Sequence, residues 1–312
     1  MDKTPVLCIV GPTASGKTAL SIRLAHALGG EIVSMDSMQI YRRMNIGTAK
    51  TTMMERDGVP HHLIDIVEPT ENYTVAQYAQ AADMVIHSIH AQGHLPMIVG
   101  GTGFYLRALT DGLSLGGIKS DPALRESLVR EAAEPDGKRR LHDRLCAIDP
   151  ISAKKLHEND IQRVSRAIEV FELTGIPISN QQRQVPERPY RFCILGTDWD
   201  RTQLYARVNA RVDDMFRRGL LDEVQSLLNE GIPPGAQAMQ GIGYKEIVPV
   251  IQGAVTLEDV VVRLKQNTRH YAKRQWTWFR AEERVQWLDM SQQKSNDQAL
   301  RIAEAFWKEA QS

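Results

Sequence analysis

A short apolar strand running into a glycine loop and then a helix constrains this sequence more than any other feature. Val6-Leu7-Cys8-Ile9-Val10 is the strand, and helix-periodic sequence follows from Lys17 to Leu28. Between them Gly11-Pro12-Thr13-Ala14-Ser15-Gly16-Lys17-Thr18 matches G-x-x-x-x-G-K-[ST], the P-loop pattern of nucleotide- and ATP-binding proteins. The glycines let successive backbone N–H groups turn inward, and the helix start adds about half an elementary positive charge. An oxyanion belongs there, with Lys17 bridging phosphate oxygens and Thr18 holding Mg²⁺. The bland alternative is a turn with an unused lysine.

The rest of the first half alternates strands with helices. Strands are expected at Glu31-Ile32-Val33-Ser34-Met35, near Leu63-Ile64-Asp65-Ile66 and at Pro96-Met97-Ile98-Val99, with a helix across 74–91. This alternation predicts an α/β fold, a P-loop-type doubly wound parallel sheet whose ligand site lies beyond the strand C-termini. From about Lys119 to Pro189 the sequence turns charged and helix-periodic, which reads as an inserted helical subdomain over 119–189 within a catalytic core of 1–118 and 190–312. Phe192-Cys193-Ile194-Leu195 rejoins the sheet. Helices are expected near 201–229, 242–252 and 256–280, then a strand Val285-Gln286-Trp287-Leu288 and a last helix.

Lysine plus arginine equals aspartate plus glutamate at 38 each, so a polyanion could be held only by local clustering of charge. Cys8, Cys146 and Cys193 are odd in number and lack a C-x-x-C pair, which disfavours a disulfide framework or a zinc site. His61 and His62 lack companion ligands at suitable spacing and read as structural or hydrogen-bonding. No apolar run approaches the roughly 20 residues of a membrane span, and the first strand starts too early for a signal peptide. The expected location is the cytoplasm, with no membrane partner.

A P-loop indicates phosphate without indicating a nucleoside triphosphate. An NTPase of this kind carries an aspartate at the end of a second apolar strand to support Mg²⁺, yet Met97-Ile98-Val99 runs into Gly100-Gly101-Thr102-Gly103. Asp36-Ser37-Met38-Gln39 follows the second strand and should lie beside the P-loop at the same edge. A carboxylate beside a diphosphate site can be a general base, a partner to Mg²⁺ or a hydrogen-bond acceptor; helix capping is the alternative. Gln39 has the chemistry to pair bidentately with an adenine edge.

Between Arg263 and Arg280, six cationic residues alternate with Tyr271, Trp276, Trp278 and Phe279. On a continuous helix Arg269, Lys273, Trp276 and Arg280 share one face. Cations for phosphates and flat rings for splayed bases suit a single-stranded RNA loop, although a solvated helix face is the common alternative.

Taken in order, these stretches resemble the successive motifs of the tRNA dimethylallyltransferases, also called tRNA isopentenyl-diphosphate transferases. The resemblance runs from the P-loop through Asp36-Ser37-Met38-Gln39-Ile40-Tyr41-Arg42, Asn45-Ile46-Gly47-Thr48-Ala49-Lys50, His61-His62-Leu63-Ile64-Asp65 and Val99-Gly100-Gly101-Thr102-Gly103-Phe104-Tyr105. It continues through 159–167, 240–246 and 273–280, with Met38 standing where the family has a small aliphatic residue. It implies transfer of a dimethylallyl group from dimethylallyl diphosphate to the N6 amine of the adenosine immediately 3′ of the anticodon, in tRNAs reading codons that begin with U.

By the same resemblance the P-loop, Gly11 to Thr18, holds the donor's diphosphate with Mg²⁺, and Asp36 accepts the proton of the adenosine amine. Thr13 meets the bridging oxygen of the leaving group, and Lys17 and Arg211 meet its growing charge. Arg211 read without the family is a surface helix arginine. The tRNA-contacting residues implied are Asp36, Ser37, Met38, Gln39, Thr102 and Arg125; Gln162, Arg163, Val164, Ser165 and Arg166; Gln240, Gly241, Ile242, Gly243, Tyr244 and Lys245; and Lys273, Arg274, Gln275, Trp276, Thr277, Trp278, Phe279 and Arg280. The enzyme is expected to act as a monomer. Two rival classes share part of this pattern: a P-loop small-molecule kinase, which would normally lack the basic-aromatic stripe, and an RNA-binding switch, which would need a γ-phosphate sensor absent from the sequence.

Overall fold

Along the first strand Leu7 and Ile9 face one side and Val6, Cys8 and Val10 the other, and all five are fully buried. A strand apolar on both faces belongs inside a sheet covered by helices. The computed structural model, which describes residues 3–112, 121–181 and 188–311, has that arrangement. Its six strands are β1 (Thr4–Val10), β2 (Gly30–Met35), β3 (His61–His62), β4 (Leu95–Gly100), β5 (Tyr190–Asp198) and β6 (Val285–Asp289). They pair in the order β3-β2-β4-β1-β5-β6, every pair parallel.

Helices Lys17–Leu28 and Ser295–Gln311 cover the face of Leu7 and Ile9, packing Leu20, Leu24, Ala299 and Ala303 against Met97 and Leu195. Helix Val75–Ala91 lies against β1, β2 and β4 and turns Tyr78 toward Cys8 on the opposite face. The sheet is therefore wound on both sides, as the alternation predicts. Because all strands run the same way, the residues after β1, β2, β4 and β5 gather at one edge. A second apolar cluster sits among the helices, where Ile40, Tyr41 and Met44 pack against Val212, Val224, Ile247 and Leu264.

Three elements differ from expectation. The strand near Leu63–Ile66 is instead the two-residue β3, because Leu63 and Asp65 take positive φ values of 59° and 57° that an extended strand cannot contain. Lys50, nearly buried, donates to Asp65 and to Tyr41 O and so holds this irregular turn. The helix over 201–229 is two, Arg201–Arg217 and Leu220–Asn229, interrupted at Gly219 with φ 92°. The helix near 242–252 is shorter, Tyr244–Ile251, because its N-cap Gly243 has φ 102°. The long helix Leu257–Arg280 is continuous.

The chain divides into two compact units, one of Met1–Leu106 with Pro189–Ser312 and one of Arg107–Arg188. The expected edge at 118/119 lies outside the described residues. The second unit is helical, with Pro122–Ala133, Gly137–Ile148 and Ile161–Thr174 packed around Leu128, Leu141, Leu145, Val164 and Ile168. Among the described residues no helix is long and apolar enough to cross a membrane.

Candidate active site

The P-loop bends where its residues allow it. Gly11 (φ 145°) passes so close to β5 that a Cβ would lie 2.4 Å from Thr197 Oγ1, and Gly16 takes φ 93° at the start of the helix. Ser15 is fully buried and anchors the loop, its hydroxyl donating to Pro12 O at 2.8 Å and lying 2.6 Å from Thr197 Oγ1. Ala14 O and Ser15 O accept from Arg207 Nε, in the second turn of helix Arg201–Arg217, and from Trp199 Nε1, just before that helix. The outward carbonyls are thereby occupied, and the inner concavity is left for an anion.

A cavity of about 370 Å³ opens at the same edge, lined by Thr13, Lys17 and Thr18 from the P-loop, by Asp36 to Gln39 after β2, and by Gly100 and Gly101 at the end of β4. Arg211, Gln240 to Tyr244, Tyr271, Arg274 and Gln275 complete the wall, with Ile32, Ile64, Val99 and Met215 adding apolar surface. Asp36 does not sit directly beside the P-loop. β4 lies between β2 and β1, so Gly100 and Gly101 separate the carboxylate from the cradle. Those glycines keep the gap open: a Cβ on Gly100 would lie 2.1 Å from Met35 O, and one on Gly101 2.2 Å from Gln275 Nε2.

Asp36 closes a turn and does not cap a helix, since residues 37–40 form a turn with no helix after it, and it also lines the cavity. Its Oδ1 accepts from Met38 N at 2.8 Å and Gln39 N at 3.3 Å, which fixes the plane of the carboxylate. Thr102 Oγ1 accepts from Ser37 N, tying that turn to the one after β4. The Gln39 amide donates to Thr48 O and Ala49 O at 3.3 and 3.4 Å, so its donors support the neighbouring loop.

Lys17 donates to Pro12 O at 2.7 Å. Burial pushes its ammonium down to about 7, Arg211 adding repulsion and Asp36 a smaller opposing attraction. Arg211 is also pushed down by burial, with Asp36 opposing. Two cations facing one carboxylate make a site short of negative charge, which a diphosphate supplies. Thr18 adds an exposed hydroxyl at the loop. That donor set suits Mg²⁺, a hard ion that keeps several waters and binds through phosphate oxygens more than through protein cages. Among the described residues no group of three His, Cys, Asp or Glu could hold a metal by itself. His62 instead bonds Glu31 at 2.7 Å, and His61 lies 2.8 Å from Val59 O.

The basic-aromatic helix is mixed in its roles. Lys273, Arg274, Trp276, Thr277, Trp278 and Arg280 are exposed, but Phe279 is fully buried in the core, so its ring cannot meet a base. Arg280 is held between the Trp276 and Trp287 rings, at 4.9 and 4.4 Å, and pairs with Asp198, which also accepts from Trp276 Nε1. Arg269 bonds Asn209 at 2.7 Å. In the helical unit Val164 and Ser165 belong to the interior, at 0% and 1% exposure, so the side chains left for contact are Gln162, Arg163 and Arg166. Gln240 and Lys245 are exposed, whereas Tyr244 is buried, its ring against Gly47, where a Cβ would lie 2.5 Å away.

Two carboxylates escaped the sequence reading. Glu223 accepts from Asn45, Ile46 and Gly47 N–H and from Tyr244 OH at 2.6 Å, so one helix residue holds the loop that forms a wall of the cavity. In the helical unit Glu169, 0% exposed, accepts from Arg125, Arg166 and Asp121 N. Burial alone would raise its pKa, but the two arginines outweigh that and keep it charged. Neither has a local signal, since each is an ordinary helix glutamate whose partners lie 21 or more residues away, apart from Arg166 one turn before Glu169.

Comparison with known proteins agrees with this geometry. A family model described as IPP transferase matches residues 39–282. The tRNA dimethylallyltransferase of Symbiobacterium thermophilum is 47% identical over 98% of this chain and 97% of its own, and that of Geobacillus thermodenitrificans 46% identical over 96% and 95%. The full-length tRNA isopentenylpyrophosphate transferase of Bacillus halodurans superposes with a TM-score of 0.75 at 43% identity, covering 99% of this chain and 98% of the other. A eukaryotic dimethylallyltransferase acting on tRNA superposes with a TM-score of 0.83 at 32% identity, covering 98% and 80%. With the P-loop, the Asp36 turn and the glycines after β4 around one cavity, and with relatives this similar over nearly the full length, the chain belongs to the tRNA dimethylallyltransferase family.

Proposed function

We propose that the protein transfers a dimethylallyl group from dimethylallyl diphosphate to N6 of the adenosine immediately 3′ of the anticodon, in tRNAs that read codons beginning with U. The observation that carries this reading is the cavity in which Lys17, Thr18, Arg211 and Asp36 meet beside the exposed side chains of Lys273, Arg274 and Trp276. A small-molecule kinase fits less well, since β4 ends in glycines where a metal-supporting carboxylate would stand.

The bond from the allylic carbon to the bridging oxygen breaks, its electrons leaving on diphosphate, while N6 forms the new bond to that carbon. Negative charge grows on the diphosphate, so Lys17, Arg211 and the P-loop amides stabilise the transition state more than the ground state. Thr13 donates its hydroxyl to the departing oxygen. Thr18 would hold Mg²⁺, which would further neutralise the leaving group. The N6 proton passes to Asp36 Oδ2. Carboxylates are too weak as bases to ionise an aryl amine beforehand, so this transfer accompanies or follows C–N bond formation and Asp36 first orients the amine. Ile32, Ile64 and Val99 give the five-carbon chain an apolar surface.

RNA is held by Lys273, Arg274 and Trp276 near the cavity and by Arg125, Gln162, Arg163 and Arg166 of the helical unit. On this reading the enzyme acts as a monomer in the cytoplasm, where its tRNA substrate is found. Changing Lys273 to Ala should raise the Kd for tRNA and reduce the slope of log K against log salt by about one, with diphosphate affinity unchanged. Filter binding across a salt series reads both, and an equal loss of diphosphate affinity would move Lys273 to the cradle.

The function itself is tested with labelled dimethylallyl diphosphate, Mg²⁺ and unmodified tRNA, in the absence of ATP. Label in the RNA is expected. Unlabelled RNA, with ATP-dependent phosphorylation of small acceptors in a parallel reaction, would replace this reading with the kinase.

A further inference from the structure

Gln275 brings the long helix into contact with the P-loop. It is 7% exposed, its Oε1 accepts from Thr13 N–H at 2.8 Å, and its Nε2 donates to Gly101 O at 2.9 Å. One amide thus spans the loop after β1 and the loop after β4, using an acceptor on one side and a donor on the other. Among side chains of this length only glutamine offers both. The span is close enough that a Cβ on Gly101 would lie 2.2 Å from Nε2 and would displace the amide.

A backbone N–H has one hydrogen, and the Thr13 hydrogen is directed at Gln275. Thr13 therefore offers an anion its hydroxyl and not its amide, unlike a P-loop residue whose N–H points inward. The following residue, Ala14, is in the left-handed region at φ 63°, so the Thr13 peptide is at a bend whose direction one hydrogen bond can decide. Thr13 also lines the cavity.

We propose that Gln275 is a positioning residue for prenyl transfer: by capturing the Thr13 amide it turns the Thr13 hydroxyl toward the oxygen that leaves with diphosphate. This replaces the expectation that Gln275 contacts RNA, and it rests on the reading of Thr13 given above. The alternative is a pin that merely stabilises the fold. A pin would lower melting temperature and weaken every function in proportion. A positioning residue lowers the chemical rate, spares donor affinity, and loses its effect once the Thr13 hydroxyl is gone.

The test is a double-mutant cycle with Gln275→Met, which keeps the packing volume and removes both hydrogen bonds, and Thr13→Ala. Single-turnover transfer is measured at saturating dimethylallyl diphosphate and tRNA. Gln275→Met alone should slow transfer by about ten- to a hundredfold, the range for a misplaced reacting group, with the donor Kd within about threefold. In the Thr13→Ala background it should cost less than about threefold more. Equal losses in both backgrounds, or a loss confined to donor Kd, would overturn the proposal. Hydrogen exchange on the wild-type, donor-free protein reads the same contact without a variant. The Thr13 amide should exchange at least about tenfold more slowly than an open loop amide, and rapid exchange would overturn the proposal even if Gln275→Met did not fold. Absence of label transfer by the wild type would instead remove the functional reading on which the proposal stands.

Discussion

Replacing Asp36 by asparagine should slow single-turnover prenyl transfer by about 10²- to 10⁴-fold, the range for loss of a positioned acid–base group, with the Kd for tRNA within a few-fold of wild type. The substitution is nearly isosteric. Its amide oxygen can keep the bonds to Met38 N and Gln39 N that Asp36 Oδ1 makes, so the turn survives and only the oxygen facing the cavity changes. In its place stands an NH₂ that donates where N6 must also donate, and the proton of the incoming amine loses its acceptor. Rapid-quench assays with saturating RNA isolate this step from product release. An unchanged rate would take Asp36 out of the chemistry and leave it a turn residue.

Lys17→Met should reduce kcat/KM for the donor by about 10²- to 10³-fold, the scale of one lost contact to a developing anion. The wild-type protein should also show a pH signature that the variant lacks. In the empty site the Lys17 ammonium is pushed down to about 7 by burial and by Arg211. A bound diphosphate favours the charged form and raises that value, so binding takes up a proton once the pH exceeds about 7. Donor affinity should therefore be level below this point and fall above it, by at most about tenfold per pH unit, until the pKa of the bound state is reached. Calorimetry of diphosphate binding in buffers of different ionisation enthalpy measures the proton uptake directly. No uptake at pH 8 would mean that Lys17 is already charged in the empty site.

What was legible in the sequence was local or periodic. The P-loop is eight consecutive residues whose spacing carries its own geometry, and the apolar runs of β1, β2, β4 and β5 were readable because both faces of each are buried. Asp36 was found because it follows a strand, and in a parallel sheet the strand ends collect together. Its exact neighbour was not readable: strand order is a tertiary property, and nothing local says that β4 comes between β2 and β1. Nor was the true extent of β3, since Leu63 and Asp65 take conformations unusual for their types and are held there by Lys50, 13 and 15 positions away in the sequence. Periodicity put Arg269, Lys273, Trp276 and Arg280 on one helix face correctly, yet it could not say that Arg280 is packed between two tryptophans or that Phe279 is fully enclosed. Glu223 and Gln275 were missed as supports because the loops they hold are distant in sequence, 176 to 178 positions from Glu223 and 262 and 174 positions from Gln275. Arg211, ambiguous as a surface arginine, is resolved by its place in the cavity wall with Lys17 and Asp36.

The most direct test is a crystal structure of the protein with an anticodon stem-loop and a non-hydrolysable thio-analogue of dimethylallyl diphosphate. The two phosphates should lie inside the loop from Gly11 to Thr18, with the adenosine N6 within hydrogen-bonding distance of Asp36 Oδ2 and the allylic carbon between them over Gly100 and Gly101. Phosphates seated away from that loop, or an Asp36 turned from the flipped base, would contradict transfer across this cavity.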